Sequence, residues 1–473
     1  MKAVVPGNAV SVEQMNACAK AFPESRANRV ARNAVTSMGV VNAARDQRAA
    51  REYRETFGVS LPCAKSVTHQ DKSGRCWMFS TLNVLRSKLI RTLDIDDFEF
   101  SQAYVTFFEK LEKSNAFLER IIETADRPAN DRVVNHITLH NASDGGQFMF
   151  CASIVEKWGL VPKSVMPETA CTVDTKFMNE ALGELLIADA AKLRAAYAQG
   201  ATAEELEAQK NEMLESIHRL LCCCIGEPPT TFDLALAVGE HAQVDAALVS
   251  EPNACGERIL RDRGLTPQQF VERYVGFNAD DYIELTSMPG TTRPFGHLFA
   301  IDWFDAVIGG RPLRLLNMEM TVLEQAIITS LKAGVPVYMM CDVGKRALRY
   351  AQDFKGLMAT DAVNLEDLFD IDLSIDRGDA FDLNATGMSH CMVFQGVELD
   401  EAGEPVMWRI ENSHGANEDY QGFLHITRDW WRAFGGDIVV ERRFVPDEVL
   451  ALRDTLPVEH RDPWDGFINY RPW

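Results

Sequence analysis

The sequence predicts an α+β fold, with helices gathered in the first half and strands in the second. Two observations carry that prediction. Apolar residues recur at the 3.6-residue helical period from residue 179 to about 223, in a stretch rich in Ala, Leu, Glu and Lys. Short apolar runs between turns then follow at 281–285, 336–341, 391–397, 406–410 and 437–440, and these read as strands. Segregated helices and strands imply two packed halves, and a cleft between them is the natural place for a site.

Taken in order, residues 11–22 and 25 to about 57 are expected to be helices, with Ser11 and Ser25 as N-caps. The apolar run from Trp77 to Leu85 predicts a buried helix over 76–94, and a second helix spans 101 to about 125. Asp144, Gly145, Gly146 and Gln147 form a glycine turn ahead of a helix through Trp158. The stretch 179–223 breaks at residues 199–202, and 321–333 is a helix ahead of the strand at 336. The expected units are an N-terminal helical arm (1–60), a helical lobe (61–178), a helical insertion (179–275), a β-rich lobe (276–455) and a C-terminal tail (456–473).

Composition narrows the class. A chain of 473 residues is able to bury a large core, and 46% hydrophobic with 25% charged residues is ordinary for a globular protein. A net charge of −21 opposes phosphate binding, so nucleic acid is not an expected partner. Charged and polar residues interrupt every apolar run before membrane-spanning length, so no membrane partner is expected either. The first eight residues lack an apolar signal core, and eleven cysteines, odd in number and unevenly spaced, suit reduced thiols; a cytoplasmic location is expected.

The chemistry concentrates at Cys76. A lone cysteine beside aromatic residues is by type a small buried hydrophobe. Here it opens a helix, where the dipole and unpaired amides stabilise a thiolate. Gln70, six residues earlier, offers an amide for a developing oxyanion alongside the Cys76 N–H. His390 stands at the mouth of one strand and Asn412 just after another. A base that takes the thiol proton, and an amide that holds the base in one tautomer, complete Cys–His–Asn logic.

These residues resemble the papain-like cysteine peptidases, whose local signature is C-G-[SA]-C-[WY]. Gly74, Cys76 and Trp77 match it; Ser73 stands where the first cysteine would be and Arg75 where a small residue would be. The runs 70–77, 144–147, 158–169 and 388–393 narrow the resemblance to the bleomycin hydrolase and bacterial aminopeptidase C family, in order from about residue 33 to 444. The resemblance implies a papain-like two-lobed fold, a helical lobe plus a β-barrel-like lobe, with a helical insertion used in assembling a hexamer. It implies a cysteine aminopeptidase acting on peptides through a thioester, with Cys76, His390 and Asn412 catalytic and Gln70 in the oxyanion hole. Asp144, Gly145 and Gly146 would line the cleft, and the terminal carboxylate, here on Trp473, would hold the substrate's free amine. No cofactor and no metal is implied. Some relatives bind DNA through a basic channel, a property the acidic charge of this chain does not carry over.

Two departures stand out. Papain-like enzymes usually have Asn-Ser-Trp-Gly, whose indole shields the His–Asn bond; here residues 412–415 read Asn-Ser-His-Gly. His414 gives weaker apolar cover and adds a titratable ring. The tail also continues for seven residues beyond Gly466, which either blocks the cleft more deeply or leaves it open to endopeptidase cleavage. An idle peptide-binding ring and acyl transfer to an amine are the rival readings. His136 and His140, four apart, have no carboxylate motif beside them, and the adjacent Cys222, Cys223 and Cys224 do not converge on one ion. Residues 344–346 lack the spacing of a phosphate loop, and the acidic stretch 361–382 lacks the calcium-loop pattern.

Overall fold

In the computed structural model, the described residues are 9–52, 56–62, 64, 66–347, 356–416 and 421–465. Ser11 and Ser25 cap their helices as expected: their hydroxyls accept from the backbone N–H of Gln14 and Asn28. The second helix does not run to 57. It ends at Met38, because Gly39 takes φ +80°, where a glycine leaves the helix without steric cost. A short helix, Val40–Ala43, and a 3-10 turn, Ala49–Glu52, follow.

The central helices lie close to expectation. Helix Cys76–Leu93 is buried along most of its length. Helix Gln102–Glu123 starts at Ser101, whose hydroxyl accepts from the Tyr104 N–H. The predicted break at 199–202 is real: helix Lys176–Ala198 gives way to helix Ala203–Ile225, which opens with a reciprocal Thr202–Glu205 capping box. The stretch expected to be a helical insertion is helical only to Ile225. Strands Phe232–Val238 and Arg258–Leu265 then form an antiparallel hairpin. Phe232, Leu234 and Val238 point inward at strand period, but the partner strand lies beyond a loop too long to carry a tight-turn signature.

Among the described residues, ten strands of the second half and the short strand Val59–Ser60, which pairs with His390–Leu399, build one sheet of eleven. Its centre runs Tyr282–Thr286, Gly435–Glu441, Val337–Cys341, His390–Leu399, Pro405–Glu411, Phe423–Thr427. Each neighbouring pair in that run is antiparallel. Alternation divides the side chains between two cores. Tyr338, Met340, Cys391, Val393 and Val439 join the cluster that holds Cys76, Trp77 and Leu85. Met339, Met392, Phe394, Ile438 and Val440 join a second cluster with helix Met320–Lys332, Trp408, Trp430 and Trp431. No helix among the described residues is long and apolar enough to cross a membrane.

One ion pair pins the two halves. Arg86, on helix Cys76–Leu93, donates to Glu411 at the end of strand Pro405–Glu411, and both side chains are almost fully buried. Gln395 donates to the other Glu411 oxygen at 2.5 Å, and Arg86 also reaches the Ser66 carbonyl at 3.2 Å. A buried pair with its remaining lone pairs occupied resists breakage, since stripping one partner costs about 3–5 kcal/mol.

A second buried acid behaves differently. Glu284 and Asp437 lie on adjacent strands, each 1% exposed. Burial pushes the Asp437 carboxyl up to about 7. Burial, and then the charge of Asp437, pushes Glu284 up as well. An aspartate in the unfolded chain titrates near ~3.9, so the native state holds the extra proton between that value and about 7. The stabilisation is therefore full below the unfolded value and is lost as pH rises through the native one. Melting temperature should fall between about pH 5 and pH 8 more steeply in the wild type than in Asp437→Asn, measured by calorimetry at matched ionic strength. Parallel curves would remove Asp437 as the titrating group.

Candidate active site

The nucleophile loop is held by charges that the sequence did not advertise. Arg75 precedes the helix, is 1% exposed, and donates to Glu168 at 3.0 Å, the Thr172 carbonyl at 2.7 Å and Thr106 at 3.0 Å. Its long side chain, where relatives of the general signature have a small residue, ties the loop to two other segments. Asp144 does the same from the far side. Its carboxylate accepts from the Gly74 N–H at 2.9 Å, Lys110 at 2.7 Å, Thr175 at 2.6 Å and Asn179 at 2.7 Å. Burial opposes ionisation, but the Lys110 ammonium and these donors outweigh it and hold the carboxyl far below the usual range. Asp144 thus joins the loop to helices Gln102–Glu123 and Lys176–Ala198.

The next residues set the approach of Trp77. Its indole N–H donates to the Asp144 carbonyl at 2.7 Å. A Cβ on Gly146 would lie 2.4 Å from the indole ring, so only glycine permits this contact. The Gly145 carbonyl accepts from Lys113 at 2.5 Å. The Asp-Gly-Gly turn is in this way fastened against the first turn of helix Cys76–Leu93.

His390 and Asn412 meet although 22 residues separate them: His390 Nε2 lies 2.8 Å from Asn412 Oδ1. The Ser413 backbone N–H also donates to that atom, at 2.9 Å, which identifies it as the amide oxygen. His390 therefore carries its proton on Nε2, and its Nδ1 is the basic nitrogen. His390 and Asn412 are both fully buried. The His414 ring lies beside that of His390, centroids 5.0 Å apart and tilted by 39°, in the place the sequence assigned to a missing indole.

Gln70 belongs to the same assembly. Its backbone N–H donates to the Ser413 carbonyl at 2.8 Å, and the Ser413 hydroxyl donates to Gln70 Oε1 at 2.7 Å. Its Nε2 donates to the Ser73 carbonyl at 2.6 Å, with a second hydrogen remaining on that nitrogen. The loop carrying Gln70 and the loop carrying Asn412 are thus zipped together.

The Cys76 thiol, 4% exposed, is held well below its ordinary range. A hydrogen bond from the Cys391 thiol is the largest cause; burial opposes it, and the charge of and hydrogen bond to His390 reinforce it. Cys391 is pushed up by burial and by the Cys76 charge, and the Tyr338 hydroxyl donates to its sulfur at 3.0 Å. The sequence reading placed Cys391 on a strand and gave it no chemistry. Its direct succession to His390, one strand residue onward, was the available signal. The His136 and His140 rings, 4.5 Å apart, lie away from this assembly with Trp464 and Arg132. Trp473 lies outside the described residues.

A family model for the Peptidase C1-like family matches residues 9–467. The chain belongs to that family. Aminopeptidase C of Lactobacillus delbrueckii subsp. lactis is 34% identical over 92% of this chain and 93% of its own length. Aminopeptidase G of the same organism is 36% identical over 93% and 94%. The crystal structure of PepW from Lactobacillus rhamnosis HN001 superposes with a TM-score of 0.88 at 32% identity, covering 97% of this chain and 98% of the other. Peptidase C1-like membership gives the chain a fold of the same class, a mixed α/β arrangement with one large sheet.

The lowered Cys76 thiol has a direct readout. Iodoacetamide should label Cys76 selectively at about pH 6, well under the ~8.5 of a free thiol, as peptide mapping reports. His390→Ala should move that labelling to higher pH. Equal labelling of Cys18 and Cys76 at the lower pH would show that the environment does not activate the thiol.

Proposed function

We propose that Cys76, His390 and Asn412 carry out peptide hydrolysis in a cysteine aminopeptidase. The observation that carries this reading is His390, held by Asn412 at 2.8 Å, whose charge and hydrogen bond help to lower the Cys76 thiol. The curated relatives are named aminopeptidases C, G and W, which supports removal of N-terminal residues.

The Cys76 thiolate attacks the peptide carbonyl carbon, and the oxyanion is received by the Gln70 amide and the Cys76 N–H. Protonated His390 gives its proton to the leaving amine as the C–N bond breaks, leaving a thioester on Cys76. Water, deprotonated by His390, attacks the thioester, and the acid product and thiolate separate. Asn412 keeps His390 in the required tautomer throughout. Gly145 and Gly146 offer backbone groups along the cleft. Losing Gln70 as Gln70→Ala should lower kcat by roughly 10²–10³ with KM little changed. A change confined to KM would place Gln70 in substrate binding instead.

The layout follows the family: a two-lobed catalytic unit of residues 61–178 and 276–455, an arm before it, an insertion within it and a tail after it. Arg293, which bridges Asp382 at 2.8 Å and Asp465 at 3.2 Å, supports a tail anchored at its middle. From there the terminal carboxylate at Trp473 would meet the substrate amine. A homo-hexamer is supported by the N-terminal arm, where helices Val12–Ala21 and Arg26–Met38 bury nothing and leave Val12, Met15, Val30 and Met38 exposed. The ten described cysteines are all free thiols, which supports a reducing cytoplasm.

An amino-acid arylamide with a free amine, and the same compound N-acetylated, test the reading under reducing conditions with Cys76→Ala as the blank. Cleavage of the free-amine substrate alone is expected. Equal cleavage of the blocked one would make the protein an endopeptidase whose longer tail does not guard the cleft, and silence on both would point to an idle ring.

A further inference from the structure

The acidic stretch 361–382 holds a single cation, Arg377, to which the proposed hydrolysis gives no part. Arg377 opens the short helix Arg377–Asp382, and its guanidinium lies over the Phe381 ring, 5.5 Å from the centroid. Nη1 donates to the Ser287 hydroxyl at 3.1 Å, and Nη2 to the carbonyls of Ser287 at 2.6 Å and Gly435 at 2.5 Å. All three acceptors are neutral. Nε is buried without a partner among the described residues, while the residue as a whole is partly exposed and Nη1 keeps a second hydrogen. Burial pushes the guanidinium down to about 10; the charge of Glu324, itself taken by Arg432 at 2.6 Å, acts the other way. A desolvated cation without a counter-ion is costly, and stapling two strand ends together needs hydrogen-bond donors, not a charge.

Sheet register puts that charge near the site. Gly435 pairs with Cys341, and Cys341 with His390, in one row across three strands. The carbonyl that Arg377 holds therefore belongs to a residue two strand spacings, roughly 10 Å, from His390. At the other end of the helix, about 8 Å along its axis, Asp382 accepts from Arg293 at 2.8 Å. Arg293 also donates at 3.2 Å to Asp465, the last described residue of the tail. One short helix thus joins the anchored tail to the row that carries His390.

We propose that Arg377 binds a carboxylate at the edge of the cleft and is a further specificity determinant of the peptidase. The proposal rests on the reading of Cys76 and His390 as its active site. Two sources supply this group: the acidic side chain of a peptide substrate, and this chain's own C-terminus, eight residues beyond Asp465. A tether of eight residues extends at most about 29 Å, well beyond the length of the helix. Either carboxylate takes the remaining Nη1 hydrogen and gives the guanidinium the counter-charge that its neutral partners do not.

The test compares the free-amine arylamides of Glu and Gln under reducing conditions, in the full-length protein and in the same chain given a C-terminal amide from an intein fusion. If the substrate supplies the carboxylate, wild type should favour Glu over Gln in kcat/KM by about tenfold, and Arg377→Gln should abolish that preference. If the C-terminus supplies it, amidation should raise KM about tenfold for both substrates with kcat little changed. Arg377→Gln should then do the same, and combining the two changes should add nothing further. Arg377→Lys, which keeps the charge, should recover part of either effect. A wild type that neither favours Glu nor responds to amidation overturns the proposal, and this result needs no variant. An Arg377→Gln protein that keeps any Glu preference intact and adds its full effect to that of amidation overturns it too, and leaves Arg377 a backbone staple. Activity in Cys76→Ala is a separate result, which sinks the nucleophile assignment itself.

Discussion

The burial of one helix against one sheet governs everything else in this protein. Helix Cys76–Leu93 contributes Cys76, Trp77, Leu82, Leu85 and Leu89 to the same core that receives Tyr338, Met340, Cys391 and Val393 from the strands. The helix sets the position of Cys76, and strand His390–Leu399 sets that of His390. Their separation is fixed by close-packed side chains, which tolerate little displacement. The Arg86–Glu411 pair adds direction to this apolar contact: Glu411 is the residue before Asn412, so the same bond that anchors the helix anchors the strand end presenting the amide.

Polar groups around the site are arranged so that the reacting ones stay unencumbered. Arg75 and Asp144 bear the buried charges, and each is surrounded by partners that are not part of the proposed chemistry. The tightly held loop between them then delivers Cys76 to the helix start, where the thiolate is favoured. On the other side, Ser413 serves three roles through different atoms: its N–H marks the Asn412 oxygen, its carbonyl receives the Gln70 N–H, and its hydroxyl orients the Gln70 amide. Gln70, the proposed oxyanion donor, and Asn412, the proposed base-orienting amide, are in this way parts of one hydrogen-bonded unit.

The surroundings of Cys76 and His390 also carry polar and titratable groups. Two histidine rings stand close together where an indole would cover the His–Asn bond. Cys391, whose sulfur accepts from the Tyr338 hydroxyl, is the largest influence lowering the Cys76 thiol. Both features add polarisable or titratable groups to a buried centre, so its chemistry responds to conditions that an apolar lining would not register.

Local sequence determined much of this protein. Ser11, Ser25, Ser101 and Thr202 mark helix starts because a capping hydroxyl acts within three residues, and the strands at 336–341, 391–397 and 406–410 show in their apolar composition. Cys76, His390 and Asn412 stood out as candidates because a thiol, an imidazole and an amide occur there in motif-like settings, and the structure brings His390 and Asn412 together. What the sequence could not show depends on contacts across long separations. The partner of Arg75 is Glu168, that of Arg86 is Glu411, and that of Asp144 is Lys110. Hairpin Phe232–Val238 with Arg258–Leu265 needed a partner strand across a long loop, and Gly39 ended a helix that composition alone would have continued. The sharing of one core by Cys391 and Cys76 lay hidden for the same reason: strand alternation fixes which face a side chain takes, but only the packing of helix on sheet decides what waits there.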